Sequence, residues 1–127
     1  MTKGLPNISE AEWEVMKVLW KHGPQTANQV IETIQKQAEW KPKTIRTLLD
    51  RLTKKKVVGV NTDKKVYVFF SLYSEEECKK AEAQSFIKKI YGGALKPMLI
   101  QFIEDDSLTK EEIEELRTIL DQKENKK

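Results

Sequence analysis

Cysteine and histidine are nearly missing from this chain: Cys78 and His22 stand alone in 127 residues. A lone cysteine excludes an internal disulfide framework and fits a reducing cytoplasm, where the protein is expected to reside. One of each is too few for a Cys/His metal site within a chain, and no cofactor is expected. Long apolar runs are absent as well, and none approaches the roughly 18 residues that span a bilayer. The N-terminal Met-Thr-Lys-Gly-Leu-Pro is not followed by an apolar h-region, so no secretory signal is expected. The sequence also lacks a glycine-rich phosphate loop, a nucleophile–base pairing and a metal-ligand cluster, and therefore reads as non-enzymatic. What is present is 39% apolar and 34% charged residues, too aliphatic for a disordered tail and very polar. The length fits one compact domain or a small domain with an attached arm.

Charge divides the chain in two. Residues 1–73 carry 13 Lys and Arg against 7 Asp and Glu, whereas residues 74–127 carry 10 against 13. Between Lys41 and Lys65 there are nine basic residues and only two acids, Asp50 and Asp63. Such concentration is the electrostatic footprint of a polyanion partner, although a solvated basic face gives the same count. Local structure has to decide between them.

Ser9-Glu-Ala-Glu12 is a capping box, and Trp13, Val15, Met16, Val18, Leu19 and Trp20 follow it with helical spacing, ending near His22 at Gly23-Pro24. Thr26-Ala-Asn-Gln29 opens a second helix with Val30, Ile31 and Ile34 inward, fading near Gln37 to Trp40. Pro42 suits the first turn of a third helix, where Ile45, Leu48, Leu49 and Leu52 recur through about Lys55. The period then changes: Val57, Val58 and Val60 form one β-branched run and residues 66–70 another, with a polar turn from Asn61 to Lys65. Three helices followed by a basic-tipped hairpin is the order of a winged helix-turn-helix, mainly α with a small β wing, assigned to residues 1–73.

With Ile45, Leu48, Leu49 and Leu52 turned inward, Thr44, Thr47, Arg51 and Lys54 line a polar stripe, flanked by Lys43, Arg46 and Asp50. Short hydroxyls beside long cations suit a helix in a DNA major groove. Arg46 and Arg51 can fork onto guanine or clamp phosphates. Lys54, Lys55 and Lys56 at the helix end, and Lys64 and Lys65 at the hairpin tip, favour phosphate contacts.

Residues 74–127 read as three more helices. Ser74-Glu-Glu-Glu77 caps the first, which carries Cys78, Ala81, Phe86, Ile87 and Ile90 until Gly92-Gly93 breaks it. Pro97 suits the first turn of the next, with Met98, Leu99, Phe102 and Ile103. Thr109-Lys-Glu-Glu112 caps the last, lined by Ile113, Leu116, Ile119 and Leu120 and fraying from Lys123 onward. About 50 residues cannot easily bury so many large apolar side chains alone. Two interleaving copies would bury them, which makes this a helical dimerisation arm; folding back onto the N-terminal domain is the other solution.

Several of these segments together resemble a known family. Ala11 to Met16, Trp20, the run from Trp40 to Leu49, Arg51-Leu52, Phe86 to Gly93, the stretch Leu99 to Phe102 and Glu111 to Arg117 closely resemble the penicillinase repressors, which include the methicillin-resistance repressors. The likeness runs from Ile8 to Leu120, and Lys41-Pro-Lys-Thr-Ile-Arg-Thr47 is its most specific part. It implies a homodimeric winged-helix repressor that binds inverted repeats in operators of β-lactamase or penicillin-binding-protein genes. It implies that Lys43, Thr44, Arg46, Thr47 and Arg51 contact the operator, and that the C-terminal helices intertwine two copies. It further implies induction by a membrane-bound sensor with a zinc-protease domain, which cuts the arm and releases the operator.

In well-known members that cut falls at an Asn-Phe bond; the matching bond here is Gln101-Phe102. Lys56 stands where many members have a helix-ending glycine. The paired Cys-x-Cys motifs of the copper-responsive branch are missing, which disfavours that metal-sensing reading. Two other readings compete with the resemblance. One is a winged-helix regulator of a different stress, metal or redox, acting through Cys78. The other is a helical adaptor that binds only proteins and has no salt-sensitive affinity for DNA.

Overall fold

The computed structural model describes residues 5–105 and 107–125. Its elements run α1 (Glu10–His22), β1 (Gln25–Thr26), α2 (Ala27–Gln35), α3 (Pro42–Lys54), β2 (Val58–Asn61), β3 (Val68–Ser71), α4 (Glu75–Tyr91), α5 (Leu95–Glu104) and α6 (Lys110–Glu124). Four capping boxes set helix starts. At the first, the Glu12 amide donates to Ser9 Oγ at 3.1 Å and the Ser9 amide donates to Glu12 Oε1 at 2.9 Å. The same reciprocal pairs form at Thr26/Gln29, Ser74/Glu77 and Thr109/Glu112. Pro42 opens α3 at its first position, where the missing N–H costs nothing.

The chain falls into two compact units, one ending at Glu82 and the other beginning at Ala83. The division lies inside α4, past the composition change at 73/74, because Cys78 in the first turns of α4 belongs to the first unit's core. That core is built from Val15, Met16 and Leu19 of α1, Val30, Ile31 and Ile34 of α2, and the inward stripe of α3, closed by Val57 and Val58. All three tryptophans (Trp13, Trp20 and Trp40) pack against it. Trp13 and Trp20 meet edge to face at 5.3 Å, and the Trp20 indole N–H reaches Ser71 Oγ at 3.1 Å and the Tyr73 carbonyl at 3.0 Å. Trp20 thereby ties α1 to the far end of β3.

The expected hairpin is present as part of a three-stranded antiparallel sheet of order β1-β3-β2. Two details differ from the sequence reading. The two-residue β1 was not foreseen; it pairs Gln25 with Phe69 and Thr26 with Val68. The second wing strand begins at Val68 rather than Val66, leaving Val66 and Tyr67 exposed in the turn. Gly59 lies opposite Phe70, and a Cβ at that position would come within 2.6 Å of the Phe70 ring. Only a residue without a side chain lets the ring lie across the strand. In the second unit, α6 continues through Glu124, so Lys123 is helical rather than frayed; Lys126 and Lys127 lie outside the described residues.

Two features fix the end of α3. Its C-terminus is a Schellman motif: the Lys56 amide bonds the Thr53 carbonyl and the Val57 amide bonds the Leu52 carbonyl, both at 3.0 Å. Lys56 therefore sits at φ 65°, a left-handed conformation that costs a side-chain-bearing residue about 1 kcal/mol. Beside it, the Lys55 ammonium turns inward and donates to Glu12 Oε1 at 2.6 Å and to the Asn7 carbonyl at 2.9 Å. Glu12 is the single buried charged residue among the described residues. Burial alone pushes its carboxyl pKa up, but the Lys55 ammonium and the Ser9 amide outweigh this and hold it below the usual value.

Replacing Lys56 with Gly is expected to raise stability by about 1 kcal/mol, read from urea midpoints at unchanged m-value. Lys55→Met strands a buried carboxylate and is expected to cost roughly 2–3 kcal/mol at neutral pH. Because Glu12 is depressed in the folded state, its contribution is complete above the unfolded carboxylate pKa of about 4.3 and is lost as pH falls through the folded value. The gap between wild type and Lys55→Met should therefore narrow below that pH. A gap unchanged between neutral and acid melts would show that the pair does not titrate as a unit.

Candidate nucleic-acid interface

An amphipathic helix that buries one stripe must show the opposite one. Ile45, Leu48, Leu49 and Leu52 are buried, so α3 is pinned about its axis and Lys43, Thr44, Arg46, Thr47, Arg51 and Lys54 all face solvent. Thirteen residues at 1.5 Å rise make a rod of about 20 Å, and a major groove is about 12 Å wide. The side chains on the exposed stripe have different freedoms. Thr47 Oγ donates to the Lys43 carbonyl at 3.0 Å, back along its own helix. Lys54 pairs with Asp50 at 3.3 Å on the same face, both widely exposed, a contact weak enough to exchange for a phosphate. Arg46 reaches across to α2, where its Nη2 donates to Asn28 Oδ1 at 2.8 Å.

Lys64 and Lys65 are exposed in the turn between β2 and β3, which begins where the Asp63 amide bonds Asn61 Oδ1 at 2.9 Å. A cleft of about 330 Å³ joins this turn to the helices and is lined by Ala27, Asn28, Arg46, Lys65, Tyr67 and Phe69. Arg46 from the helix and Lys65 from the wing thus meet at one partly apolar cleft. Lys55 does not belong to it. The sequence reading counted it among the phosphate contacts, but its ammonium is engaged by Glu12 and the Asn7 carbonyl. Sequence reasoning also missed Asn28 and Tyr67. Asn28 sits inside a capping-box motif that already explained its neighbourhood, and Tyr67 inside an apolar run that read as strand.

The remaining candidates lie in the second unit. Phe86 and Ile90 on α4, Leu99 and Phe102 on α5, and Ile113, Leu116 and Leu120 on α6 are all exposed, Leu120 by 67%. Met98 is half-buried, and neither α5 nor α6 has a buried residue. The Gln101-Phe102 bond falls in the last turn of α5, where the Tyr91 hydroxyl donates to Gln101 Oε1 at 2.5 Å. Cys78, in contrast, is sealed in the first unit's core, and burial followed by the charge of Glu77 pushes its thiol pKa up. A buried thiol kept protonated is a poor redox sensor. No described helix is long and apolar enough to cross a membrane.

Several proteins similar to this chain are named as regulators. The methicillin resistance regulatory protein MecI of Mammaliicoccus sciuri is 44% identical over 116 residues, covering 91% of this chain and 94% of that one. The penicillinase repressor of Bacillus licheniformis is 41% identical over 125 residues, 98% of each chain. Among solved structures, the monomeric form of Bacillus licheniformis BlaI in complex with the blaP half-operator superposes with a TM-score of 0.52 at 42% identity. That alignment covers 57% of this chain and 89% of the other. The winged-helix fold and the expectation of a regulator rather than an enzyme are borne out by these relatives. The sequence pattern described as Penicillinase repressor matches residues 8–122, and the chain belongs to the penicillinase repressor family.

Proposed function

We propose that this protein represses transcription by binding operator DNA of β-lactamase or penicillin-binding-protein genes as a homodimer. The observation that carries the reading is the face of α3, where Lys43, Thr44, Arg46, Thr47, Arg51 and Lys54 stand exposed on one helix whose other side is buried. In this reading Thr44, Arg46, Thr47 and Arg51 meet base edges, while Lys43, Lys54, Lys64 and Lys65 meet phosphates. The relatives named as repressors, and the BlaI structure bound to a half-operator, support it. Operator DNA as the target makes the protein cytoplasmic.

The dimer reading rests on the bare apolar surface of the second unit. Phe86, Ile90, Met98, Leu99, Phe102, Ile113, Leu116 and Leu120 are too many large side chains to leave in water. Two copies joined through them would hold two winged helices at high effective concentration over paired half-sites. Release then requires only that the arm be broken. The family resemblance supports a membrane-bound sensor zinc protease as the agent and Gln101-Phe102 as the bond. That bond lies in a helical turn, so the turn must unwind before a protease can hold it extended.

Selection from a random DNA pool at about 150 mM salt is expected to yield an inverted repeat; recovery of no motif would favour the protein-only adaptor. Arg51→Ala should relax sequence preference and cost about 1–3 kcal/mol on the selected duplex. Lys64→Ala should weaken all duplexes alike and reduce the salt slope by about 0.9. Equal losses on selected and random duplexes for Arg51→Ala would remove it from the base readers. For the arm, Phe102→Asp is expected to halve the sedimenting mass, and an unchanged mass would put the interface elsewhere.

A further inference from the structure

Arg46 differs from the other cations on its face. Among the described residues of that face, it alone is bonded to another helix, through the 2.8 Å contact from its Nη2 to Asn28 Oδ1. Asn28 is exposed in the first turn of α2, where its side chain has no capping duty because Thr26 and Gln29 already form the box. We infer that Asn28 is a positioning residue for operator recognition, holding the Arg46 guanidinium at a fixed angle so that it reads a base rather than sweeping over phosphates. The inference rests on the proposed DNA-binding function and adds to it a specificity determinant outside α3.

The chemistry favours a hinge-like support. A free arginine side chain carries a large rotamer entropy, all of which must be lost when it docks on a base edge. Nη2 carries two hydrogens, so one bond to Asn28 leaves a complete two-donor edge of the guanidinium unspent. That is the edge a guanine O6/N7 pair requires. Asn28 supplies a neutral acceptor, so it orients the cation without cancelling its charge in the way a carboxylate would. Ala27 and Phe69 line the cleft beside Arg46 with apolar atoms. Thr26, Tyr67, Asp50 and Thr53 also lie around it, and of these surroundings it is the Asn28 Oδ1 that the guanidinium bonds.

The test uses the full-length protein and two duplexes of equal length: the sequence selected by the wild type and a scrambled one. The quantity measured is the ratio of the two affinities, with the salt slope as a second readout. Asn28→Ala is expected to lower that ratio by about threefold to tenfold, the worth of one hydrogen bond, while leaving the salt slope unchanged. In the Arg46→Ala background the same substitution should have no further effect on the ratio. Asn28→Asp keeps the acceptor and should restore the ratio to within about twofold, even if its charge weakens both duplexes together. Alanine at an exposed first-turn position leaves the helix intact, and a thermal melt checks this.

An unchanged ratio in Asn28→Ala would overturn the inference while leaving the DNA-binding reading standing. So would multiplicative losses in the double variant, which would mean that Asn28 acts without Arg46. A reduced salt slope would also overturn it, by making Arg46 or Asn28 a phosphate contact. A wild type that prefers neither duplex would instead remove the DNA-binding reading itself, and the positioning role with it.

Discussion

The rotational setting of α3 is the constraint on which everything else in this protein depends. Four buried side chains, Ile45, Leu48, Leu49 and Leu52, lock the helix against α1 and α2. A shift of one residue would turn the helix by about 100° and carry the threonines and arginines off the surface they now share. The buried stripe is thus the reason the exposed one has a fixed composition. The far end of the helix is held just as firmly. The Schellman bonds stop it at Lys55, and the Lys55 ammonium docks on a carboxylate that is itself the last residue of α1's capping box. One glutamate therefore closes the start of the first helix and anchors the end of the third.

The two units solve different problems of burial. The first packs three helices and a short sheet around an apolar core and, among the described residues, keeps its charges on the outside, with Glu12 as the compensated exception. The second has good local helix signals, including the Thr109 box and the Gly92-Gly93 break at φ 62° and 93°, yet leaves its large apolar side chains exposed. Local propensity shapes the second unit's helices, but burial of their apolar faces is what normally stabilises helices of this length in proteins. A fold that uses separate means for shape and for burial is suited to losing one without the other.

Much of this was legible because it is local. The four capping boxes, the proline at the start of α3 and the inward stripe of that helix depend on residues three or four apart, and the helices begin where those residues indicate. What escaped the sequence depends on distant partners. β1 is two residues long and exists only because β3 lies beside it. Lys55 carries the same charge as Lys54, and nothing near it in sequence reveals that Glu12, far upstream, will claim it. Asn28 gains its meaning from a hydrogen bond to a residue 18 positions away. The α4 boundary is of the same kind: composition changes at Ser74, but Cys78 still packs into the first unit.

The placement of the tryptophans has an optical consequence. All three indoles pack on the first unit, and the second has none. Emission excited at the red edge of the protein's absorption therefore comes from the winged-helix half alone. Trp20, whose N–H bridges Ser71 and the Tyr73 carbonyl, is the chromophore that would sense the sheet coming away from α1. Events confined to the second unit stay dark to the same lamp, so a change in emission reports the first unit and not the arm.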